Sequence, residues 1–195
     1  MKSLDSLVKK AMEYRDKGLT EKEIGAELHL SSSTVNWLLT RGVKGEPPKD
    51  IKVGWRSVGV YGSRIGYISA ALSDIIVEEM IKNNSDFDTV LGISINGIPY
   101  ATFVSDELEK ELAVYRPAEM REKGGAFSSN YADVRGKKVV IVDDVISTGE
   151  TLKVAIESLR ENSAKAVLIS VLVNKTALDS LEGVPLRALF RARAI

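Results

Sequence analysis

The sequence contains no cysteine and a single histidine, His29. Without thiols the chain can form no disulfide, no thiolate metal site and no thiol nucleophile, and one imidazole argues against a zinc site or a histidine base. Net charge is also lacking, because 27 basic residues balance 27 acidic ones. No overall field draws the molecule toward nucleic acid or a membrane, so any nucleic-acid contact must depend on the local placement of charges.

Long apolar runs are missing as well. No stretch approaches the roughly 20 residues that cross a bilayer, and the first residues lack the apolar core of a signal peptide. We therefore expect a cytoplasmic protein without membrane contact. The chain of 195 residues, 44% of them hydrophobic, is long enough for one or two domains with real cores.

A segment of glycine, proline and charged residues, from Gly42 to Asp50, divides the chain. The residues before it have helical spacing only, whereas strands and helices alternate after it. We expect a small all-α domain over residues 1–42, a linker over 43–50, and an α/β domain over 51–195 with a mostly parallel sheet flanked by helices.

Three helix signals lie in the first forty residues. Apolar residues from Leu4 to Met12 have the spacing of one helix face, and Gly18 ends that helix. Thr20 and Glu23 form a capping box at the start of a second helix. Ser31 is a good cap for a third.

The segment from Thr20 to Arg41, with a small residue at Ala26, resembles the helix-turn-helix of bacterial and archaeal regulators. In that motif the third helix lies in the major groove of DNA. The resemblance implies that base edges are contacted by Ser32, Ser33, Thr34 and Asn36, and that phosphates are held by Arg41 and Lys44. The alternative is a small helical bundle for subunit contact, since residues 1–50 contain nine Lys or Arg against eight Asp or Glu, without a basic surplus.

The most specific segment is VVIVDDVISTGET, residues 139–151. Its apolar run, Val139 to Val142, predicts a strand buried on both faces. The strand is expected to end in Asp143 and Asp144 and to be followed by a short loop of Ser147, Thr148 and Gly149 and a helix from Glu150. The start of such a helix offers unpaired N–H groups to a phosphate, and adjacent carboxylates accept hydrogen bonds from sugar hydroxyls. The pattern predicts a site for a phosphorylated sugar; an ordinary doubly wound domain with a chance acid pair is the alternative.

This segment resembles, at all thirteen positions, the phosphoribosyl pyrophosphate signature of type I phosphoribosyltransferases. The resemblance implies the fold of that family and a set of residues that bind the phosphate and ribose of the ligand. They are Asp143, Asp144, Val145, Ile146, Ser147, Thr148, Gly149, Glu150 and Thr151. Mg²⁺ would arrive with the diphosphate of the ligand, and no protein side chain is expected to bind it directly.

A second segment, GISINGIPYAT over residues 92–102, follows a predicted strand over 89–93. It resembles the pyrophosphate loop of orotate phosphoribosyltransferases, which implies diphosphate contacts by Ser94, Ile95, Asn96 and Gly97. Asn96 replaces a common glycine, and asparagine visits positive φ more readily than other side chains. Further back, before a helix predicted over 67–81, lie residues in the place of that family's base-side contacts: Trp55, Arg56, Ser57, Tyr61, Gly62 and Ser63.

The loop that closes over the ligand in orotate enzymes is altered here. Those enzymes carry an arginine–lysine pair, then a second lysine and a histidine. Arg116 stands for the arginine, but Pro117 follows it, and Arg121 and Lys123 replace the later pair. Proline stiffens the start of the loop and arginine is not equivalent to lysine, so we expect ligand binding rather than turnover. Arg121 and Lys123 are the catalytic candidates if the chain is active.

The whole chain resembles archaeal orotate-phosphoribosyltransferase-like transcriptional regulators. The leading hypothesis is therefore a homodimeric regulator that binds a double-stranded DNA operator. Its phosphoribosyltransferase-like domain would sense phosphoribosyl pyrophosphate or a related sugar phosphate or nucleotide. The alternative is an active orotate or purine phosphoribosyltransferase with an accessory helical domain.

Overall fold

A computed structural model describes residues 4–40, 50–117 and 125–193. The chain divides into two compact units, one of residues up to 54 together with those from 192 onward, and one of residues 55–191. Within the three described ranges, no helix combines the length and the apolar character needed to cross a membrane.

The described part of the first unit consists of three helices, α1 (Leu4–Asp16), α2 (Glu21–Leu28) and α3 (Ser32–Leu39). The predicted helix starts are confirmed. The Thr20 hydroxyl accepts a hydrogen bond from the Glu23 backbone N–H at 3.3 Å, while the Glu23 carboxylate accepts one from the Thr20 N–H at 2.7 Å. Ser31 caps α3. The three helices share one core, formed by Ala11, Ile24, Leu28, Leu30, Val35 and Leu38.

The turn between α2 and α3 depends on Gly25. A Cβ atom on Gly25 would lie 2.8 Å from the Leu30 carbonyl oxygen, so only glycine lets the chain turn back this closely. Ala26, the small residue named in the sequence pattern, is exposed. The requirement for a small residue therefore falls one position earlier than expected. His29 ends α2 in the left-handed conformation at φ 53°, as a turn residue.

The second unit is an α/β structure. Its helices are α4 (Arg56–Gly59), α5 (Gly62–Lys82), α6 (Gly97–Glu107) and α7 (Glu150–Glu161). Its strands are β1 (Thr89–Ile93), β2 (Glu111–Arg116), β3 (Ala126–Phe127), β4 (Lys138–Ile146), β5 (Lys165–Asn174), β6 (Ser180–Leu181) and β7 (Val184–Arg191). The described strands form one sheet in the order β3-β2-β1-β4-β5-β7-β6, in which the middle five are parallel and both outer strands are antiparallel. The mostly parallel sheet flanked by helices confirms the predicted fold class.

Helices cover both faces of this sheet, which is why every residue of β1 is buried. On one face Leu152, Ile156 and Leu159 of α7 pack into the main core. On the other, α6 comes so close to β1 that a Cβ atom on Gly92 would lie 2.9 Å from the Cβ of Ala101.

Two predicted boundaries are wrong. The helix expected from residue 67 begins at Gly62, so α5 takes in the glycine and serine that precede it. Strand β4 does not end at the acid pair, because its pairing with β5 continues to Ile146, which lies opposite Asn174. Asp143 and Asp144 therefore lie within the strand, two residues before its end.

A buried ion pair joins α5 to β7. The guanidinium of Arg187 donates to both carboxylate oxygens of Glu79, at 2.8 and 3.0 Å. Glu79 is 5% exposed. The hydrogen bonds from Arg187 outweigh the effect of burial and lower the pKa of the Glu79 carboxyl.

Candidate functional site

The two segments singled out by the sequence meet where β1 and β4 end. The strands are parallel neighbours, with Gly92 opposite Val142, so their carboxyl ends lie at the same edge of the sheet. A Cβ atom on Gly97 would lie 2.6 Å from the Val142 carbonyl oxygen and 3.0 Å from the Asp143 Cα. The loop of residues 94–97 therefore lies against the acid pair because Gly97 has no side chain.

The loop after β1 is fixed by backbone contacts. The Ser94 N–H donates to the Tyr115 carbonyl at 2.9 Å, which ties the loop to β2. Asn96 precedes α6 with φ −76°, so the positive φ considered for this position is wrong. In the first turn of α6, which begins at Gly97, the Ile98 N–H donates to the Ile95 carbonyl at 3.4 Å and Pro99 has no N–H. Ile95 is 61% exposed.

The loop after β4 leads into α7. Gly149 has φ 82°, a left-handed conformation that side chains rarely adopt. The first N–H of α7, that of Glu150, donates to the Thr148 hydroxyl oxygen at 3.4 Å. The Ser147 and Thr148 side chains are exposed. The first N–H groups of α7 and these hydroxyls are donors suited to an anion.

The acid pair at the end of β4 is electrostatically unfavourable as it stands. Asp144 is 6% exposed, and its backbone N–H donates to the Asp143 carboxylate at 2.9 Å. Burial, together with the neighbouring Asp144 carboxylate, raises the pKa of Asp143. A ligand that donates hydroxyl groups to this pair would relieve part of that cost.

An aromatic pair lies against the acids. The indole N–H of Trp55 donates to Asp144 Oδ2 at 3.0 Å, and the Trp55 ring meets the Tyr100 ring edge to face at 5.7 Å between centroids. The Tyr100 hydroxyl is buried and has no hydrogen-bond partner among the described residues. Burial and the negative charge of Asp144 raise the pKa of Tyr100 to about 12, so the phenol stays protonated.

Trp55, predicted among the base-side contacts, donates to a carboxylate of the acid pair. The two residues are 89 positions apart in sequence. No pattern in the neighbouring sequence predicts a hydrogen bond between residues so far apart, because this bond forms only in the folded chain.

The loop expected to close over the ligand is described only at its start. Arg116 is the last residue of β2, and its side chain is exposed. Arg121 and Lys123 lie outside the described residues.

The residues predicted to contact DNA lie on and after α3. Ser32, Ser33 and Asn36 are exposed, whereas Thr34 is half-buried. The Asn36 amide donates to Glu21 Oε1 at 2.9 Å, so a base edge would have to replace an existing partner. Arg41 and Lys44 lie outside the described residues.

Asp50, assigned by sequence to the end of the linker, holds the start of α3. Its Oδ2 atom accepts hydrogen bonds from the Ser31 backbone N–H at 2.7 Å and from the Thr34 hydroxyl at 3.0 Å. Two donors at the start of the helix are thereby satisfied by a carboxylate, which the helix dipole also favours. Sequence reasoning missed this contact.

Comparison with known proteins adds three similarities. The phosphoribosyl transferase domain family matches residues 64–182. The chain is 53% identical to the transcriptional regulator GfcR of Thermoplasma acidophilum over 100% of this chain and 98% of the relative, and 50% identical to that of Picrophilus torridus over 98% of each. The fold is similar to that of orotate phosphoribosyltransferase from Aeropyrum pernix, with a TM-score of 0.60 and 22% identity over 73% of this chain and 80% of that one.

Proposed function

Because the chain belongs to the archaeal transcriptional regulators that carry a phosphoribosyl transferase domain, we propose that it binds operator DNA and adjusts that binding to the concentration of a phosphorylated sugar. The observation that carries the ligand half of this proposal is the close approach of Gly97 to Asp143. That approach brings the loop after β1 against the acid pair, and the chain continues from this pair into the loop before α7. We call these three segments the cradle.

The ligand is phosphoribosyl pyrophosphate or a related sugar phosphate or nucleotide. The N–H groups at the start of α7, with Ser147, Thr148 and Thr151, suit a 5-phosphate. Asp143 and Asp144 suit the two ring hydroxyls of a ribose, and the loop of residues 94–97 suits a diphosphate.

Magnesium fits this site as part of the ligand. The described residues hold no group of three or more acidic or histidine side chains that could bind a metal ion, and at this site they supply the two adjacent carboxylates. Mg²⁺ prefers oxygen ligands and keeps several waters, and the oxygens of the diphosphate would supply most of its shell. Its chemistry there is to neutralise the diphosphate charge.

The DNA half of the proposal assigns α3 to the major groove. Ser32, Ser33, Thr34 and Asn36 would contact base edges, and Arg41 and Lys44 would contact phosphates. A homodimer would present two such helices to half-sites separated by whole helical turns of about 34 Å. A regulator of this kind acts where the DNA is, in the cytoplasm.

Turnover is not part of the proposal. Pro117 follows Arg116 where the orotate enzymes have a lysine, and the later positions are Arg121 and Lys123. Transfer from phosphoribosyl pyrophosphate needs the departing diphosphate charge to be neutralised, and the altered loop changes the groups that do so.

The test uses the full chain and DNA selected from a random-sequence pool. We expect Mg²⁺-phosphoribosyl pyrophosphate to bind saturably in calorimetry and to change the DNA dissociation constant in fluorescence anisotropy. Linkage requires DNA to change the ligand affinity by the same factor. An Asp143→Asn, Asp144→Asn double variant should lose the ligand response while keeping DNA binding.

Two outcomes would overturn the proposal. One is robust turnover with orotate, adenine, guanine or hypoxanthine in a spectrophotometric assay, which would make the chain a transferase. The other is a selected pool without enrichment, which would leave the helical unit as a subunit contact. Sedimentation of the complex tests the dimer, for which the selected sequence should be palindromic.

A further inference from the structure

A six-residue segment, Asp50 to Trp55, links the start of α3 to the acid pair of the sugar site. We call residues 50–55 the connector. Asp50 belongs to the first unit and Trp55 is the first residue of the second. The connector contains no helix or strand. Both of its ends make specific side-chain hydrogen bonds, each within its own unit.

At its first end the connector holds the helix that is proposed to read DNA. The Asp50 carboxylate accepts from the Ser31 N–H at 2.7 Å and from the Thr34 hydroxyl at 3.0 Å. Its other oxygen accepts from the N–H of Ile51 at 2.8 Å, so the carboxylate is fixed relative to the connector backbone as well. A movement of the backbone at residues 50 and 51 therefore moves the groups that cap α3.

At its second end the connector occupies a group that the sugar would use. Trp55 donates to Asp144 Oδ2 at 3.0 Å. An ionised carboxylate binds an N–H or O–H donor strongly. Because Asp144 is 6% exposed and the indole already lies on Oδ2, a sugar hydroxyl has room at this oxygen only in place of the indole.

The connector is short enough to pass such a change on. Five Cα–Cα steps of 3.80 Å span about 19 Å at full extension, which is the longest distance that the connector can bridge. Gly54, next to Trp55, has no atom within 4 Å of the position of a Cβ, so no packed side chain fills the space beside it.

We propose that the connector is the device by which ligand binding is transmitted to DNA binding: a sugar hydroxyl displaces the Trp55 indole from Asp144, and the connector carries this displacement through Asp50 to the start of α3. The inference rests on the proposed function, since it requires both a sugar ligand and a DNA-reading helix. It assigns to Trp55 and Asp50 a role in coupling, distinct from contact with DNA or with phosphate.

Two variants separate coupling from binding. Trp55→Phe keeps an aromatic ring against Tyr100 but removes the indole N–H. Asp50→Ala removes both acceptors at the start of α3, and Asp50→Asn is the milder second variant if the alanine protein does not fold by circular dichroism. The matched controls are Tyr67→Phe on α5 and Asp16→Ala on α1, because both side chains are exposed and lie outside the connector.

The experiment measures DNA affinity with and without Mg²⁺-phosphoribosyl pyrophosphate, in the full chain. Their ratio is the coupling factor, about tenfold in a typical allosteric protein. For Trp55→Phe we expect ligand affinity that is equal or higher, a ratio near one, and unliganded DNA affinity shifted to the liganded wild-type value. For Asp50→Ala we expect a ratio near one with unchanged ligand affinity in the absence of DNA. Both controls should keep the wild-type ratio.

Tryptophan emission shows whether the ligand displaces Trp55 even when the Asp50 contact is removed. The chain contains two tryptophans, Trp37 and Trp55. The ligand should change the emission of the wild type and of Asp50→Ala, but not of Trp55→Phe. Inorganic phosphate, which fills the cradle without ribose hydroxyls, should change neither emission nor DNA affinity.

The outcomes distinguish this inference from the function on which it rests. A wild-type protein that binds no phosphoribosyl pyrophosphate, or whose DNA affinity ignores it, overturns both. A wild-type protein that responds, with variants that respond equally, overturns the connector alone. An emission change with phosphate as large as that with phosphoribosyl pyrophosphate also overturns it, because displacement would then not depend on the sugar.

Discussion

Gly97 lies so close to Asp143 that a Cβ atom on the glycine would come within 3.0 Å of both the Cα and the Oδ1 of the aspartate. The close approach brings the start of α6 against the end of β4. Because the neighbouring atoms are mostly backbone, the strand cannot yield as a flexible side chain would.

Gly97→Ala should therefore disturb the site strongly, although it adds only one methyl group. The added methyl group would push residues 94–97 away from β4, and overpacking of this kind costs about 1–3 kcal/mol. We expect lower stability in urea unfolding and at least a tenfold loss of affinity for Mg²⁺-phosphoribosyl pyrophosphate in calorimetry. Gly66→Ala is the matched control, since its Cβ would meet the Phe103 ring at an ordinary 3.6 Å. Equal ligand affinity in the two variants would contradict the prediction.

Asp143→Asn should stabilise the protein while weakening its ligand site. The folded protein raises the pKa of Asp143 through burial and the Asp144 charge. The folded state thus holds a proton more tightly than the unfolded one, and stability falls as pH rises from about 3.9 through the folded value. Asparagine avoids that loss, so we expect a gain of about 0.5–2 kcal/mol at pH 7.

The gain from Asp143→Asn should vanish near pH 3, about one unit below the ordinary carboxyl pKa, where the wild-type carboxyl is mostly protonated in both states. Urea unfolding at the two pH values measures it. Asp74→Asn, at an exposed position of α5, is the control and should change stability by less than about 0.5 kcal/mol. An Asp143→Asn protein less stable than the wild type at pH 7 would show that the buried carboxylate does not destabilise the fold.

Arg187→Met should leave Glu79 buried without its main partner. We expect a loss of about 2 kcal/mol at pH 7, between the values of exposed and fully buried pairs, because Arg187 is partly accessible. Arginine lowers the pKa of Glu79, so its stabilisation is present above the ordinary carboxyl pKa and is lost as pH falls through the folded value. The difference from wild type should accordingly shrink at pH 3–4.

Arg191→Met is the control for this ion pair. Arg191 pairs with the exposed Asp179 at the end of the same strand, β7. Removing an exposed pair should cost less than about 1 kcal/mol at any pH. Similar losses in the two variants would mean that burial of Glu79 adds nothing to the strength of its pair.

Asn36→Ala tests the proposed contact between α3 and the base edges of DNA. An asparagine that pairs with a base contributes about 1–3 kcal/mol of discrimination, so affinity for the selected DNA should fall while affinity for unrelated DNA stays constant. Anisotropy titrations with both DNAs measure this ratio. Asn130→Ala, in an exposed turn of the second unit, should leave it unchanged. A uniform loss on both DNAs would instead assign Asn36 to structure, through its bond to Glu21.

Sequence reasoning succeeded where a signal is local. The Thr20 and Glu23 box lies within one helical turn, and the five apolar residues of β1 are consecutive. Capping and burial of this kind depend on neighbours in the chain, so they can be read without a fold. The glycine and acid pattern around Asp143 likewise predicted a strand, a short loop and a helix in succession, as β4 and α7 show.

Sequence reasoning did not predict the long-range contacts. Trp55 donates a hydrogen bond to Asp144, which lies 89 positions away in sequence, and Asp50 accepts one from Thr34, which lies 16 positions away. The small residue at the helical turn is Gly25 because the Leu30 carbonyl approaches it, a fact of backbone geometry and not of composition. Strand β4 continues beyond its apolar run because its pairing with β5 extends as far as Asn174. In each case the partner that decides the structure is absent from the local pattern.

Both outer strands of the described sheet, β3 and β6, are two residues long. A strand of two residues offers few N–H and C=O groups to which a strand of another molecule could add. Fibrous polymers that grow by strand addition onto β3 or β6 would therefore gain few hydrogen bonds at each step.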